Sequence, residues 1–418
     1  MASEKRLRVT LLSSEWKSSK GGSAFNRELA IELAKHPNVE IYVYVPKCSE
    51  EDKKVAAGRH GIQLIEAEEI PGCEPIDWLA SLPEGHLPHC VIGHGFHLGR
   101  QIPLIKQRHH DCKWIQVVHT APEELGMYKR YEEAIFKGQQ KHQAELQLCE
   151  LADQVVAVGY KLANVYSRYL RYSGKDQDVI SLTPSIFTEF LSVQQAPEER
   201  RSFVVLVFGR GDGEHFKLKG YDIAVQAVAE LKDSSYRLMF VGAPAGKEDE
   251  VTDRLLQHGI PRSQLIVRRF MESREWLAKL FCAVDLAIMP SRTEDFGLTA
   301  LEALSAGLPV LVSGNSGLGD ALKKVPSGFS HVVDSEDPKE WAKAINIVRQ
   351  KGREVQLAEA KILREKYAML YNWQKQCDCL VEKMLNLSLG KINGFALPFC
   401  LQTRINKFDY KLEISMRR

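Results

Sequence analysis

The chain has no run of 18 consecutive apolar residues, no C-x-x-C pair, no G-x-G-x-x-G fingerprint and no excess of either charge. The first absence leaves no candidate for a membrane-spanning helix. The second removes the usual zinc and redox spacings; nine cysteines, an odd number scattered from Cys48 to Cys400, read as free thiols in a reducing, cytoplasmic compartment. The third argues against a dinucleotide-binding turn. A net charge of +2 gives no general attraction to nucleic acid or anionic membrane, so any anion site must be local. No repeat of 20–50 residues is evident, which excludes a solenoid. The N-terminal Met-Ala-Ser-Glu-Lys-Arg leads straight into the strand-like Leu7–Leu12, too short for the core of a signal peptide.

What is present is an alternation. At 418 residues, 44% hydrophobic and 26% charged, the chain exceeds a typical single core, and two domains are expected. In the first half, short apolar runs occur at 9–12, Val39–Val45, 90–92, 114–118, Gln154–Val158 and Val179–Leu182. In the second they occur at Phe203–Phe208, 237–241, 265–267, 284–289, 310–312 and 331–333. Helical patterns such as 22–34 and 131–151 lie between them, and strand-helix-strand alternation predicts an α/β protein with parallel sheets covered by helices. The Pro-containing, charged segment 183–201 reads as a linker. The predicted domains are 1–188, 189–375 and a terminal portion 376–418, of which 390–418 matches no pattern. Two such domains enclose a cleft at the carboxyl ends of their strands.

The densest signal is Pro290-Ser291-Arg292-Thr293-Glu294-Asp295-Phe296-Gly297-Leu298, followed by Glu302 and by Gly307-Leu308-Pro309. An apolar strand ends at Pro290-Ser291, and a helix opens at Phe296-Gly297 and stops at Gly307 and Pro309. Amides at Phe296, Gly297 and Leu298 together with the helix dipole suit a diphosphate, and Glu294 and Glu302 flank them as acceptors for sugar hydroxyls. A second cluster follows the strand at 203–208: Arg210, three glycines, Lys217, Lys219 and Gly220. Its cations neutralise a diphosphate without a metal, Arg as a planar fork and Lys as a point charge. No aspartate pair accompanies them, so metal independence is expected. Gly21 and Gly22, in the loop 18–23 after the first strand, can bring backbone amides near a ligand. His119 and His94 end buried-looking strands, with His97 nearby; no further ligand completes a zinc set.

The Glu294/Glu302 spacing resembles the E-x7-E signature of retaining, nucleotide-sugar-dependent glycosyltransferases of the family 4 type, which have the GT-B fold of two facing Rossmann-like domains. The resemblance implies that Glu302 binds the donor's ribose, Glu294 and His119 the transferred sugar, and Arg210 and Lys219 the diphosphate. It places the glycine-rich loop at Gly21 and Gly22, the nucleobase near 267–271, and a last helix crossing back onto the N-terminal domain near Trp373. A hexosyl transfer from a nucleotide-diphosphate sugar, UDP-sugar favoured, to an unknown acceptor with retention is the implied activity. The alternative is a catalytically weak or inactive nucleotide-sugar-binding module of a larger signalling protein; a nucleotide-sugar epimerase is a third reading that the E-x7-E spacing disfavours.

Overall fold

The computed structural model describes residues 6–16, 21–128, 134–270 and 273–389. Strands β1 (Leu7–Leu12), β2 (Val39–Val45), β3 (Ile62–Glu66), β4 (Cys90–His94), β5 (Lys113–Val118), β6 (Gln154–Val158) and β7 (Val179–Leu182) form one sheet in the order β3-β2-β1-β4-β5-β6-β7. Strands β8 (Phe203–Phe208), β9 (Tyr236–Ala243), β10 (Leu265–Arg269), β11 (Leu286–Met289), β12 (Val310–Ser313) and β13 (Val332–Val333) form a second, ordered β10-β9-β8-β11-β12-β13. Every pairing is parallel. Helices cover both faces, which is why β4 and β6 are buried at every residue and read as unbroken apolar runs.

Each apolar run read from the sequence becomes a strand. β3 alone escapes, because exposed Gln63 and Glu66 interrupt a short run at the sheet edge, where only one neighbour, β2, demands pairing. The helical region after Pro338 is three helices, Pro338–Gln350, Arg353–Leu370 and Trp373–Leu389. A left-handed Gly352 (φ +74°) parts the first two.

Strand order reverses between β1 and β4 in the first sheet and between β8 and β11 in the second, the positions where open α/β sheets leave a crevice for ligands. One apolar core runs through the first sheet, the buried linker residues Phe187 and Phe190, and the near face of the second sheet with Leu301 and Leu304 of the helix Leu298–Ser305 that covers it. A separate core fills the far face of the second sheet around Val205, Phe240 and Trp341. The linker is therefore packed rather than solvated. Its charged run is tied down as well: the Glu199 carboxylate accepts from the Arg353 amide at 2.6 Å, and Arg200 Nη1 lies 3.3 Å from Asp285.

The last described helix, Trp373–Leu389, returns to the N-terminal domain and packs on the helix Gly21–Ala34. Trp373 meets Phe25 at 5.8 Å between ring centroids, and Gln376 exchanges hydrogen bonds with the Thr183 backbone at 2.8 and 3.0 Å. The segment 390–418 lies outside the described residues.

Trp373→Ala is expected to lower stability by about 3 kcal/mol through the cavity it leaves between the returning helix and Phe25. Urea unfolding followed by circular dichroism measures this; an unchanged midpoint would mean that the helix does not clamp the two domains.

Candidate active site

β8 and β11 are neighbours in a parallel sheet, so the loops leaving their carboxyl ends, 209–220 and 290–297, meet. Gly220 caps the helix Tyr221–Glu230 in the left-handed region (φ +65°), and a Cβ there would overlap the Pro290 carbonyl. Only glycine permits that approach. It brings Lys219 against Glu294, with Nζ 2.7 Å from Oε2, and Ser291 Oγ donates to the same oxygen at 3.0 Å. Arg210 is exposed just beyond Gly209, its carbonyl accepting from the Tyr221 hydroxyl at 3.0 Å. Lys217, read from the sequence as a further diphosphate cation, is engaged elsewhere. Its ammonium binds Asp222, which Arg292 also grips through both Nη atoms at 2.9 and 3.0 Å.

Leu298–Ser305 is the helix that the motif predicts, capped by Gly297 at φ +105°. The first amides of a helix have no partner within it, and they carry its positive dipole end. The side chain of Phe296, whose amide is the group read as facing a ligand, is committed to packing. The residue is 3% exposed and its ring rests on Gly159 of the N-terminal domain, where a Cβ would lie 2.7 Å from Cδ2. What Phe296 has to offer a ligand is therefore its backbone.

Glu302 lies in the second turn of this helix, 3% exposed, with burial raising its pKa. Arg274 Nη1 donates to its Oε1 at 2.5 Å, while Arg274 Nη2 lies 3.2 Å from Glu189 of the linker. Glu189 in turn sits 3.6 Å from Arg27, next to buried Glu28, whose pKa burial pushes up to about 7. Neither Arg274 nor Glu28 carries a spacing signal in the sequence, because the two meet only where helices of both domains converge on the linker.

On the N-terminal side, His119 follows β5 and its Nε2 is 2.8 Å from His94 Nδ1 at the end of β4. The adjacent register of β4 and β5 aligns the two. Phe25 stands edge-on to His119 at 5.3 Å, and burial lowers the His119 pKa to about 4. At neutral pH the pair shares one hydrogen bond between uncharged rings, so His119 presents a fixed polar group rather than a proton donor of ordinary histidine strength. Gly21 and Gly22 are the first residues of the helix Gly21–Ala34; the loop residues 17–20 before them lie outside the described residues. β10 ends at Arg269, and Phe270 stacks on Phe208 at 5.7 Å; Met271, the end of the segment read as nucleobase-facing, is outside the described residues.

Two residues that sequence reasoning passed over join the halves. Asp295, inside the motif itself, accepts from the Ala121 amide at 3.0 Å, two residues beyond His119. Lys161, three residues beyond β6, donates to Thr293 Oγ1 at 3.0 Å. A polar residue just past a buried strand end was the signal available for Lys161.

Residues 10–380 match the family described as "Family 4 Glycosyltransferase in conflict systems". A D-inositol 3-phosphate glycosyltransferase of Corynebacterium urealyticum is 26% identical over 330 residues, covering 73% of each chain. One of Acidothermus cellulolyticus is 28% identical over 241 residues, covering 53% of this chain and 52% of its own. The chain thus spans about half the length of the latter. Sucrose-phosphate synthase from Thermosynechococcus elongatus has a TM-score of 0.70 at 18% identity, over 92% of this chain and 100% of that one. Anabaena HepE in complex with UDP-glucose has 0.64 at 15% identity, over 90% and 100%. At such identities the likeness carries the fold, which is the two-domain GT-B arrangement expected from the sequence.

Glu145, on the helix Ala134–Leu151, is 4% exposed, and burial, aided by the charge of Asp295, pushes its pKa up to about 7. A carboxyl raised in the folded state stabilises fully below its unfolded value near 4.5 and loses that contribution as pH climbs through about 7. Glu145→Gln should therefore flatten the fall in the unfolding free energy from urea titrations between pH 5 and pH 8, by on the order of 2 kcal/mol. Parallel wild-type and variant profiles would contradict this.

Proposed function

The chain belongs to the family 4 glycosyltransferases of conflict systems, and from that premise we propose that it transfers a hexosyl group from a nucleotide-diphosphate sugar to an acceptor, with retention at the anomeric carbon. The observation that carries the reading is the bond from Lys219 to Glu294 at the start of the helix Leu298–Ser305. A diphosphate at that helix start lies within reach of a cation, free amides and a carboxylate. UDP-sugar is the favoured donor; the solved HepE complex with UDP-glucose shares the fold and supports that choice.

In this reading Lys219, Arg210 and the amides from Phe296 to Leu298 take up the negative charge that grows on the departing nucleotide. Glu294 accepts from hydroxyls of the transferred sugar, Glu302 from those of the ribose, and neutral His119 orients the sugar from the opposite domain. Gly21 and Gly22 open the facing helix toward the phosphates or the acceptor. Two cations and a helix start meet the leaving-group charge without a metal. The acceptor binds on the N-terminal side of the cleft, near segments such as 70–88 and 122–128.

Lys219→Ala and Glu294→Gln are each expected to cut nucleotide release at saturating donor by about 10²–10³-fold. Full activity in both would remove the site assignment. Among UDP-, GDP- and ADP-sugars, a UDP-sugar should raise the thermal midpoint most, since a ligand that binds only the native state stabilises it. Chelation with EDTA should leave the rate unchanged; loss of activity that Mg²⁺ or Mn²⁺ restores would overturn the metal-independent part.

A further inference from the structure

We propose that Lys161 is a positioning residue for the donor sugar: it grips, from the N-terminal domain, the loop of the C-terminal domain that carries Glu294. The inference rests on the donor-site reading above. Lys161 lies in the first turn of the helix Tyr160–Tyr169, directly after β6, and its side chain is 13% exposed. Its ammonium reaches Thr293 Oγ1 at 3.0 Å, Asn315 Oδ1 at 3.1 Å, the Glu294 carbonyl at 3.3 Å and the Asn315 carbonyl at 3.4 Å. Glu124 lies 3.8 Å away as an ion-pair partner, and the Asp295 and Asp320 carboxylates also lie within its field. Three protons are thus shared among four oxygens on two adjoining loops of the opposite domain, the one after β11 and the one after β12.

Those oxygens belong to the frame that orients Glu294. The Glu294 amide donates to the Asn315 carbonyl at 3.0 Å, the Gly317 amide donates to the Glu294 carbonyl at 3.2 Å, and Asn315 Nδ2 donates to the Arg292 carbonyl at 2.6 Å. Lys161 adds its charge to both carbonyls of that ladder. The next two residues are fastened to the same domain, Asp295 by the Ala121 amide and Phe296 by the face of Gly159. The backbone of Glu294 to Phe296 is held across the cleft, while the Glu294 carboxylate stays on its own domain with Lys219 and Ser291. The direction of that carboxylate therefore depends on the two domains being closed together. Lys161 touches no reacting atom in this scheme; it acts through Glu294.

The test separates positioning from nucleotide binding and from folding. Lys161→Met is expected to lower kcat for UDP release from UDP-glucose by about tenfold to a hundredfold, the scale of a misplaced reacting group. The affinity for UDP, carried by Lys219, Arg210 and the helix start, should stay within about twofold. Lys161→Arg, which keeps the charge and several donors, should recover part of kcat. In the free protein, amide hydrogen exchange over 290–300 should quicken in Lys161→Met while β8 keeps its protection. Unchanged kcat, loss of UDP affinity in step with kcat, or unchanged exchange over 290–300 would each overturn the inference. If wild-type protein neither binds UDP nor turns over any nucleotide sugar, the donor-site reading fails, and the exchange measurement still decides whether Lys161 holds this loop.

Discussion

The bond between Lys219 and Glu294 is the interaction around which the donor side is arranged. An ammonium and a carboxylate 2.7 Å apart require two loops from different strands to come within one side chain's length. That closeness follows from β8 and β11 being neighbours and from Gly220 pressing on the Pro290 carbonyl. With Ser291 as a second donor to the same oxygen, Glu294 keeps its other oxygen for a different partner. The pair stands at a helix start, so cation, dipole and acceptor converge within one small volume.

Charge burial explains much of what surrounds it. Glu28, Glu189 and Glu302 meet Arg27 and Arg274 where the linker passes between the domains. Burying carboxylates is costly unless guanidinium groups compensate them, and the raised pKa of Glu28 marks incomplete compensation. Such a cluster gains its balance only when both domains contribute. The continuous apolar core through Phe187, Phe190 and Leu301, together with the returning helix at Trp373, supplies the burial that holds the domains in that relation.

Strand runs and the motif glutamates were legible because their signals are local: apolar residues in runs, then Pro-Ser, then Phe-Gly, then a helix pattern. The cations after β8 were legible as strand-end residues, but their division of labour was not. Lys217 and Lys219 look equivalent on paper. Only the packed helix start, with Asp222 and Arg292 behind it, assigns the first to the fold and leaves the second facing Glu294. His94 and His119 each stood out at a strand end, yet their mutual hydrogen bond depends on the pairing of β4 and β5. Lys161 and Asp295 were missed because their partners lie more than 130 residues away in sequence.

By itself the sequence determined the two parallel sheets, the helix start bearing Glu294 and Glu302, and the cationic loop at Arg210 and Lys219. Periodicity, glycine and capping act over a few residues and need no partner. Tertiary structure alone decided which cation meets which carboxylate, that Phe296 spends its ring on Gly159, and that the loop of Glu294 is held from the other domain by Lys161. Those outcomes depend on distances between chain-distant groups, and only the packed, twisted sheets and the buried linker set those distances.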